Sequence, residues 1–173
     1  GNGQALRYRD PRKFGAILWT SEPIHEHRLI VPLGPEPLSK AFNVDYLWPL
    51  LRKRQSPIKP VLMNAAVVVG VGNIYASESC FMAGIRPTAS CKRITKKQCE
   101  YLVSCIKDVL ARAINAGGTT LQDFTSTEGK PGYFRHELQV YARESEACFV
   151  CGTPIKRLVQ AQRSSFYCPA CQR

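Results

Sequence analysis

The sequence predicts a mainly α-helical fold with a small β component, and three observations predict it. Thr95 to Ala116 carries apolar side chains at helical spacing between a capping signal and a glycine stop. Val69 to Ala76 sets two glycines immediately before another helix start. Near the C-terminal end, two C-x-x-C pairs bracket a stretch that reads as strand, turn, strand.

The chain has 173 residues, enough for one compact domain or two small ones with a real core. Its hydrophobic fraction of 45% is that of an ordinary globular protein. The longest apolar run, Ala65 to Val71, falls far short of the ~18 residues of a membrane span. Gly1 to Arg9 is polar and basic and does not read as a signal peptide. Lys and Arg number 24 against 13 Asp and Glu, a formal charge of +11. Such an excess suits a nucleic-acid partner, and it equally suits a basic, soluble surface.

Ala5 to Arg9 and Gly15 to Thr20 read as short strands joined by a turn at Asp10-Pro11-Arg12-Lys13. Such a hairpin is too small to fold alone and reads as the tail of a larger sheet. Glu22 to Ala41 contains four prolines and reads as a linker. Asn43 is the expected cap of a helix with Val44, Leu47, Leu50 and Leu51 on its apolar side. Ser56-Pro57 reads as a cap followed by proline at the first helical position, opening a helix to about Asn64. A third helix is expected from Asn73 to the terminator Gly84. In the long helix Thr95 and Gln98 form a capping box, and Ile94 with Cys99 fits a hydrophobic staple. Leu102, Val103, Ile106, Val109, Leu110 and Ala113 form its buried face, and Gly117-Gly118 ends it. Thr119 to Gly132 is an expected polar loop, and Phe134 to Tyr141 an extended segment.

Cys148-x-x-Cys151, sixteen intervening residues and Cys168-x-x-Cys171 have the spacing of a structural zinc site with four thiolates. A redox dithiol or disulfides are the competing readings. Four sulfurs fill a tetrahedron and leave no position for a catalytic water, so one Zn2+ would support folding and not chemistry. A deaminase site also carries P-C-x-x-C, but it needs an H-x-E partner that the chain lacks. With four thiolates on one Zn2+ the net charge falls by two, to about +9. Cys80, Cys99 and Cys105 lie in helical patterns and read as small apolar residues. Reduced thiols with zinc suit the cytosol. Between the pairs, Ile155 to Gln160 and Phe166-Tyr167 read as strands around a turn at Gln162 to Ser165. Arg163 at such a tip reaches a phosphate or is merely solvated.

At Gly70-Val71-Gly72-Asn73 the backbone comes close to any ligand, and the amides of the next helix favour an anion. Asn73 either caps that helix or turns its amide toward a phosphate. Glu78, one turn on, reads as a solvated acid or a hydrogen-bonded core acid.

Together these segments resemble the formamidopyrimidine-DNA glycosylase family, which includes the endonuclease VIII enzymes. The resemblance runs from Tyr8-Arg9-Asp10-Pro11-Arg12-Lys13-Phe14-Gly15 through Leu33-Gly34-Pro35-Glu36-Pro37-Leu38 and Val69 to Glu78. It continues through Gly117-Gly118-Thr119-Thr120 and Gly129 to Phe134, and ends at Gln162-Arg163 and the four cysteines.

The resemblance implies the C-terminal strands of a β-sandwich domain over 1–21, a linker over 22–42, a helix-two-turn-helix DNA-binding domain over 43–140 and a zinc-finger hairpin over 141–173. It implies base-excision repair: a DNA glycosylase and AP lyase that removes oxidised purines, such as 8-oxoguanine and formamidopyrimidines. The partner is duplex DNA with oxidised bases or abasic sites, bound by a monomer in the bacterial cytoplasm. Asn73 and Arg163 match residues that hold the phosphates flanking the lesion, and Lys59 matches a lysine near the DNA backbone. Arg12 and Phe14 match the pair inserted where the flipped base leaves the stack. Lys13 stands where the family often has a second arginine. Gly72 and Lys130 complete the expected contact set, with Lys130 in the flap Thr125 to Tyr133.

The family's nucleophile is an N-terminal proline followed by glutamate. This sequence begins Gly1-Asn2-Gly3, so it reads as a fragment without the catalytic residue. Two other readings stand beside this one. A non-enzymatic zinc-ribbon module would bind undamaged DNA equally well. A ribosome-associated basic protein would prefer structured RNA.

Overall fold

The computed structural model describes residues 2, 3, 5, 7, 8, 10, 15–119 and 134–173, with backbone alone at 135. The expected contact residues Arg12, Lys13, Phe14 and Lys130, and the expected flap, lie outside the described residues. Two units emerge, Gly1–Pro32 and Leu33–Arg173.

In the first unit the sequence predicts a strand over Gly15 to Thr20, and none forms there. Ile17, Leu18 and Trp19 are exposed. An isolated two-stranded hairpin buries too little apolar surface to offset its ordering entropy. A short 3-10 turn at Ile24–Glu26 lies within the expected linker.

Among the described residues the second unit contains four α-helices: α1 (Val44–Arg52), α2 (Ile58–Leu62), α3 (Asn73–Met82) and α4 (Lys96–Asn115). A hairpin of β1 (Lys156–Gln160) and β2 (Arg163–Tyr167) follows. The Asn43 side chain accepts from the Tyr46 N–H and caps α1, which buries Leu47 and Leu51 and leaves Leu50 half-buried. The capping box at Thr95 and Gln98 is present, and the buried face of α4 contains all six predicted residues. Gly84, Gly117 and Gly118 take left-handed conformations behind α3 and α4, which L side chains rarely adopt.

The start of α2 departs from expectation. Pro57, not Ser56, is the cap residue, and no side chain caps the helix. The amides of Ile58 and Lys59 donate instead to the carbonyls of Ala89 and Pro87, and the Cys91 N–H donates to the Ser56 carbonyl. An isolated antiparallel bridge, Pro57 to Ser90, thus takes the place of the cap. The helix stops at Leu62, with Met63 as its C-cap.

Gly34 lies against the turn that leads to α3. Its N–H donates to the Ala65 carbonyl, and a Cβ there would stand 2.5 Å from the Val67 carbonyl carbon and oxygen. That turn feeds Val67, Val68 and Val71 into the main core, beside Phe42, Leu47, Ile58, Leu62, Cys80, Leu102 and Ile106. Cys99 and Ile94 share this core, as a staple requires.

Phe134 to Tyr141, expected to be extended, opens as a 3-10 turn, Phe134–Glu137. Phe134 and Leu138 pack on Val109 and Ala113 of α4 in a second cluster. A third cluster joins Phe81 of α3 to Val140, Ile155, Phe166, Cys148 and Cys168. The hairpin turn is Ala161-Gln162, both at positive φ, and Gln160 pairs with Arg163 across it. The expected turn residues Arg163 to Ser165 therefore belong to β2. A two-residue turn with both φ positive matches the twist of the strands it joins.

Gly34→Ala should lower stability by about 2 kcal/mol or more, because the clash is with backbone that cannot swing aside. Urea unfolding checks this; an unchanged midpoint would mean that the turn yields.

Candidate nucleic-acid interface and metal centre

Among the described residues Lys59 is the best-buried charged residue, at 1% exposure. It lies on α2, with Ile58 and Leu62 packing in the core on either side. Its Nζ donates to the Asn73 Oδ1 at the start of α3, to the Ser165 Oγ (2.7 Å) and to the Ser164 carbonyl (3.2 Å) of β2. Three donors thus meet three acceptors from two other elements. Burial lowers the Lys59 pKa from 10.5 to about 8, and the Arg163 guanidinium pushes the same way while Cys80 opposes.

Asn73 is the first residue of α3, and Gly72 is the cap residue, with no side chain closing the helix end. The α3 amides therefore open toward solvent with the positive end of the helix dipole. Lys59 holds one end of the Asn73 amide, and the Asn73 Nδ2 donates to the Tyr141 hydroxyl (3.2 Å) at the other. Arg163 is exposed at the start of β2, one residue before the carbonyl that Lys59 grips. Asn73, Gly72, Lys59 and Arg163, read separately from sequence, thus converge on one face. Tyr141 escapes sequence reasoning, and Ser165 is read only as part of the hairpin turn, because nothing local connects either to Asn73 or Lys59. Glu78 proves to be a core acid, 3% exposed.

The four sulfurs of Cys148, Cys151, Cys168 and Cys171 lie within 4.8 Å of one another. Cys148 and Cys171 are 3.9 Å apart, and Cys151 and Cys168 are 3.4 Å apart. A tetrahedral zinc ion with bonds of about 2.3 Å needs sulfurs about 3.8 Å apart, so the cluster fits. The Cys151 thiol is lowered to about 6, first by the Thr153 side chain and then by its backbone. Burial and neighbouring sulfurs raise Cys171, an effect that a bound dication reverses. The cluster is a structural zinc site, and its ligands leave no open position. The remaining cysteines are unlike it: Cys80, Cys91, Cys99 and Cys105 are buried and unbonded to one another. Burial pushes Cys80 and Cys99 up to about 12 and Cys91 to about 11, so these thiols act as core packing.

The zinc knuckle is fastened to the helices by its last residues. Gln172 accepts from the Cys168 N–H and donates to the Ile85 carbonyl, both at 2.8 Å. The Arg173 N–H donates to the Gly84 carbonyl, directly behind α3.

A helical domain joined to a four-cysteine zinc hairpin is the class that this architecture defines. Residues 33–125 match the formamidopyrimidine-DNA glycosylase H2TH domain, and 145–173 match the zinc finger found in FPG and IleRS. The chain belongs to the formamidopyrimidine-DNA glycosylase family. It is 56% identical over 172 residues to the formamidopyrimidine-DNA glycosylase of Enterobacter sp. (strain 638), covering 99% of this chain and 64% of that protein. Against the enzyme of Thioalkalivibrio sulfidiphilus the identity is 54%, with the same coverage. The chain thus spans just under two thirds of the length of these relatives. The crystal structure of MutM (Fpg) from Thermus thermophilus superposes with a TM-score of 0.88 at 37% identity, covering 94% of this chain and 62% of that one. A complex of Lactococcus lactis Fpg with DNA containing an abasic site gives 0.78 at 33% identity, over 84% and 53%. Family membership sets aside the ribosome-associated reading and a zinc ribbon without enzymatic ancestry. No helix among the described residues is long and apolar enough to cross a membrane.

Two measurements test the site. Metal analysis should find one zinc per chain, and Cys151→Ser should lose it together with the hairpin's protection from hydrogen exchange; a metal-free chain with an intact hairpin would contradict the assignment. In free protein Lys59 should titrate near 8. A phosphate bound nearby would raise that pKa, so a duplex complex would hold more protons and its affinity would fall as pH rises. We expect a loss of about threefold to tenfold between about pH 7 and 9 at fixed ionic strength. Lys59→Met should flatten the profile. In folding the sign is opposite: between about 8 and 10.5 the unfolded chain binds more protons, so this group's contribution to stability grows with pH.

Proposed function

We propose that these residues form the phosphate grip of a bacterial base-excision-repair enzyme, a glycosylase and AP lyase acting on oxidised purines in duplex DNA. The observation that carries the reading is the convergence of Asn73, Lys59 and Arg163 at the open N-terminus of α3. Helix amides, an amide side chain and a guanidinium on one face suit two successive phosphates of a bent strand. The formal +11 supplies long-range attraction.

The division of labour follows the sequence: a remnant of a β-sandwich domain over 1–21, which forms no strand at Gly15 to Thr20 here, a linker over 22–42, helix-two-turn-helix over 43–140 and zinc hairpin over 141–173. Asn73 and Arg163 bind the phosphates that flank the lesion, Gly72 lets the backbone approach, and Lys59 braces both. Arg12 and Phe14 enter the stack beside Lys13, and Lys130 acts from the flap. The protein works as a monomer in the cytoplasm. The site's own amine, Lys59, is buried and committed to three acceptors, so it is a poor nucleophile toward a sugar. This chain alone should bind damaged DNA and leave it intact.

Fluorescence anisotropy with abasic and undamaged duplexes tests this. The chain should prefer the abasic duplex, and Asn73→Ala and Arg163→Ala should each weaken binding about tenfold or more, consistent with loss of a charge-assisted contact. Arg163→Ala should also reduce the salt slope by about 1. Equal binding to both duplexes, or unchanged affinity in both variants, would overturn the reading. Borohydride should trap no covalent adduct; a trapped adduct would show that the chain carries a nucleophile.

A further inference from the structure

Glu78 lies on α3, five residues beyond Asn73, on the side that faces the core. Its Oε2 accepts from the Gln139 N–H at 2.8 Å. Its Oε1 accepts from the Val140 and Tyr141 N–H groups at 3.0 and 2.8 Å. Three consecutive backbone amides thus close on one carboxylate. Burial raises its pKa, while these amides and Arg112 oppose the shift. A buried acid is costly unless fully satisfied, and here the satisfying partners are all main chain. The carboxylate therefore dictates the path of 139–141.

That path ends on the phosphate site. Tyr141 is the last of the three residues, and its hydroxyl accepts from the Asn73 Nδ2. Its ring also packs edge-on against Phe166 of β2, with centroids 5.0 Å apart. Asn73 is thereby held at both ends, its oxygen by Lys59 and its nitrogen by Tyr141. A planar amide fixed in this way has its oxygen turned inward and its remaining N–H available to an acceptor outside.

We propose that Glu78 is a positioning residue for phosphate recognition: by clamping the 139–141 backbone it sets the Tyr141 hydroxyl against Asn73 and so aims the Asn73 amide. The proposal rests on the reading of Asn73 as a phosphate contact. A purely structural acid would stabilise the fold without any specific coupling to Tyr141.

The test is a double-mutant cycle on binding to a duplex containing a tetrahydrofuran abasic analogue, with zinc content and thermal midpoint measured for every variant. Glu78→Gln keeps the shape but turns an NH2 group toward N–H donors. We expect Glu78→Gln and Tyr141→Phe each to weaken binding about fivefold, and the double variant to match Tyr141→Phe within about twofold. Losses that multiply would show independent action and overturn the proposal, as would wild-type affinity in Glu78→Gln. Hydrogen exchange gives a second reading if Glu78→Gln fails to fold. The amides of Gln139, Val140 and Tyr141 should exchange slowly in the wild type and in Tyr141→Phe, whereas exchange at exposed-loop rates would overturn the clamp. Asn73→Ala separates the two levels. If it binds like wild type, the Asn73 reading itself fails; if it binds weakly while Glu78→Gln does not, the positioning role alone fails.

Discussion

The Lys59 ammonium sits where α2, the first residue of α3 and strand β2 come together, and it is the group on which the arrangement of that face depends. A positive charge shielded from water is tolerable only while its three hydrogens meet acceptors. Here those acceptors are Asn73, Ser164 and Ser165, which belong to two segments remote in sequence. Satisfying the charge therefore brings the hairpin to the open helix end. Arg163, next to Ser164 in the chain, is brought along without needing a contact of its own.

The metal and the C-terminal residues serve the same geometry. A two-stranded hairpin has too little surface to hold its shape, and sulfur ligation supplies the missing constraint. Gln172 and Arg173 then fasten the knuckle to Ile85 and Gly84, immediately behind α3. Phe81, Val140, Ile155 and Phe166 form the apolar layer between them. Ligation by the four cysteines thus fixes where the Arg163 guanidinium stands.

Much of this is legible in the sequence because its signals are local. The capping box at Thr95, the cap at Asn43, the glycine stops and the cysteine spacing each act within a few residues. Other features are decided by contacts from elsewhere in the chain. Ser56-Pro57 has the letters of a helix start, but a bridge to Ser90 claims the backbone and removes the need for a side-chain cap. Ala161-Gln162 adopts a turn usually made by Asn or Gly, so the residue types point to a turn a few residues too late. Phe134 is turned into a 3-10 coil by packing on α4, a tertiary effect with no periodic signature. The bond from Lys59 to Ser165 spans 106 residues, and no local pattern encodes it. For Asn73 and Arg163 the residue types point to phosphate, but only the fold brings both to Lys59.

The proposed grip holds a damaged duplex by the phosphates next to the lesion. Phosphate-ethylation interference on a duplex with a single abasic site tests it most directly. Strong interference confined to the phosphates immediately flanking the abasic sugar is the predicted pattern. Weak interference spread evenly along both strands would mean that the protein clings to DNA through its overall charge alone, which would contradict a grip at the lesion.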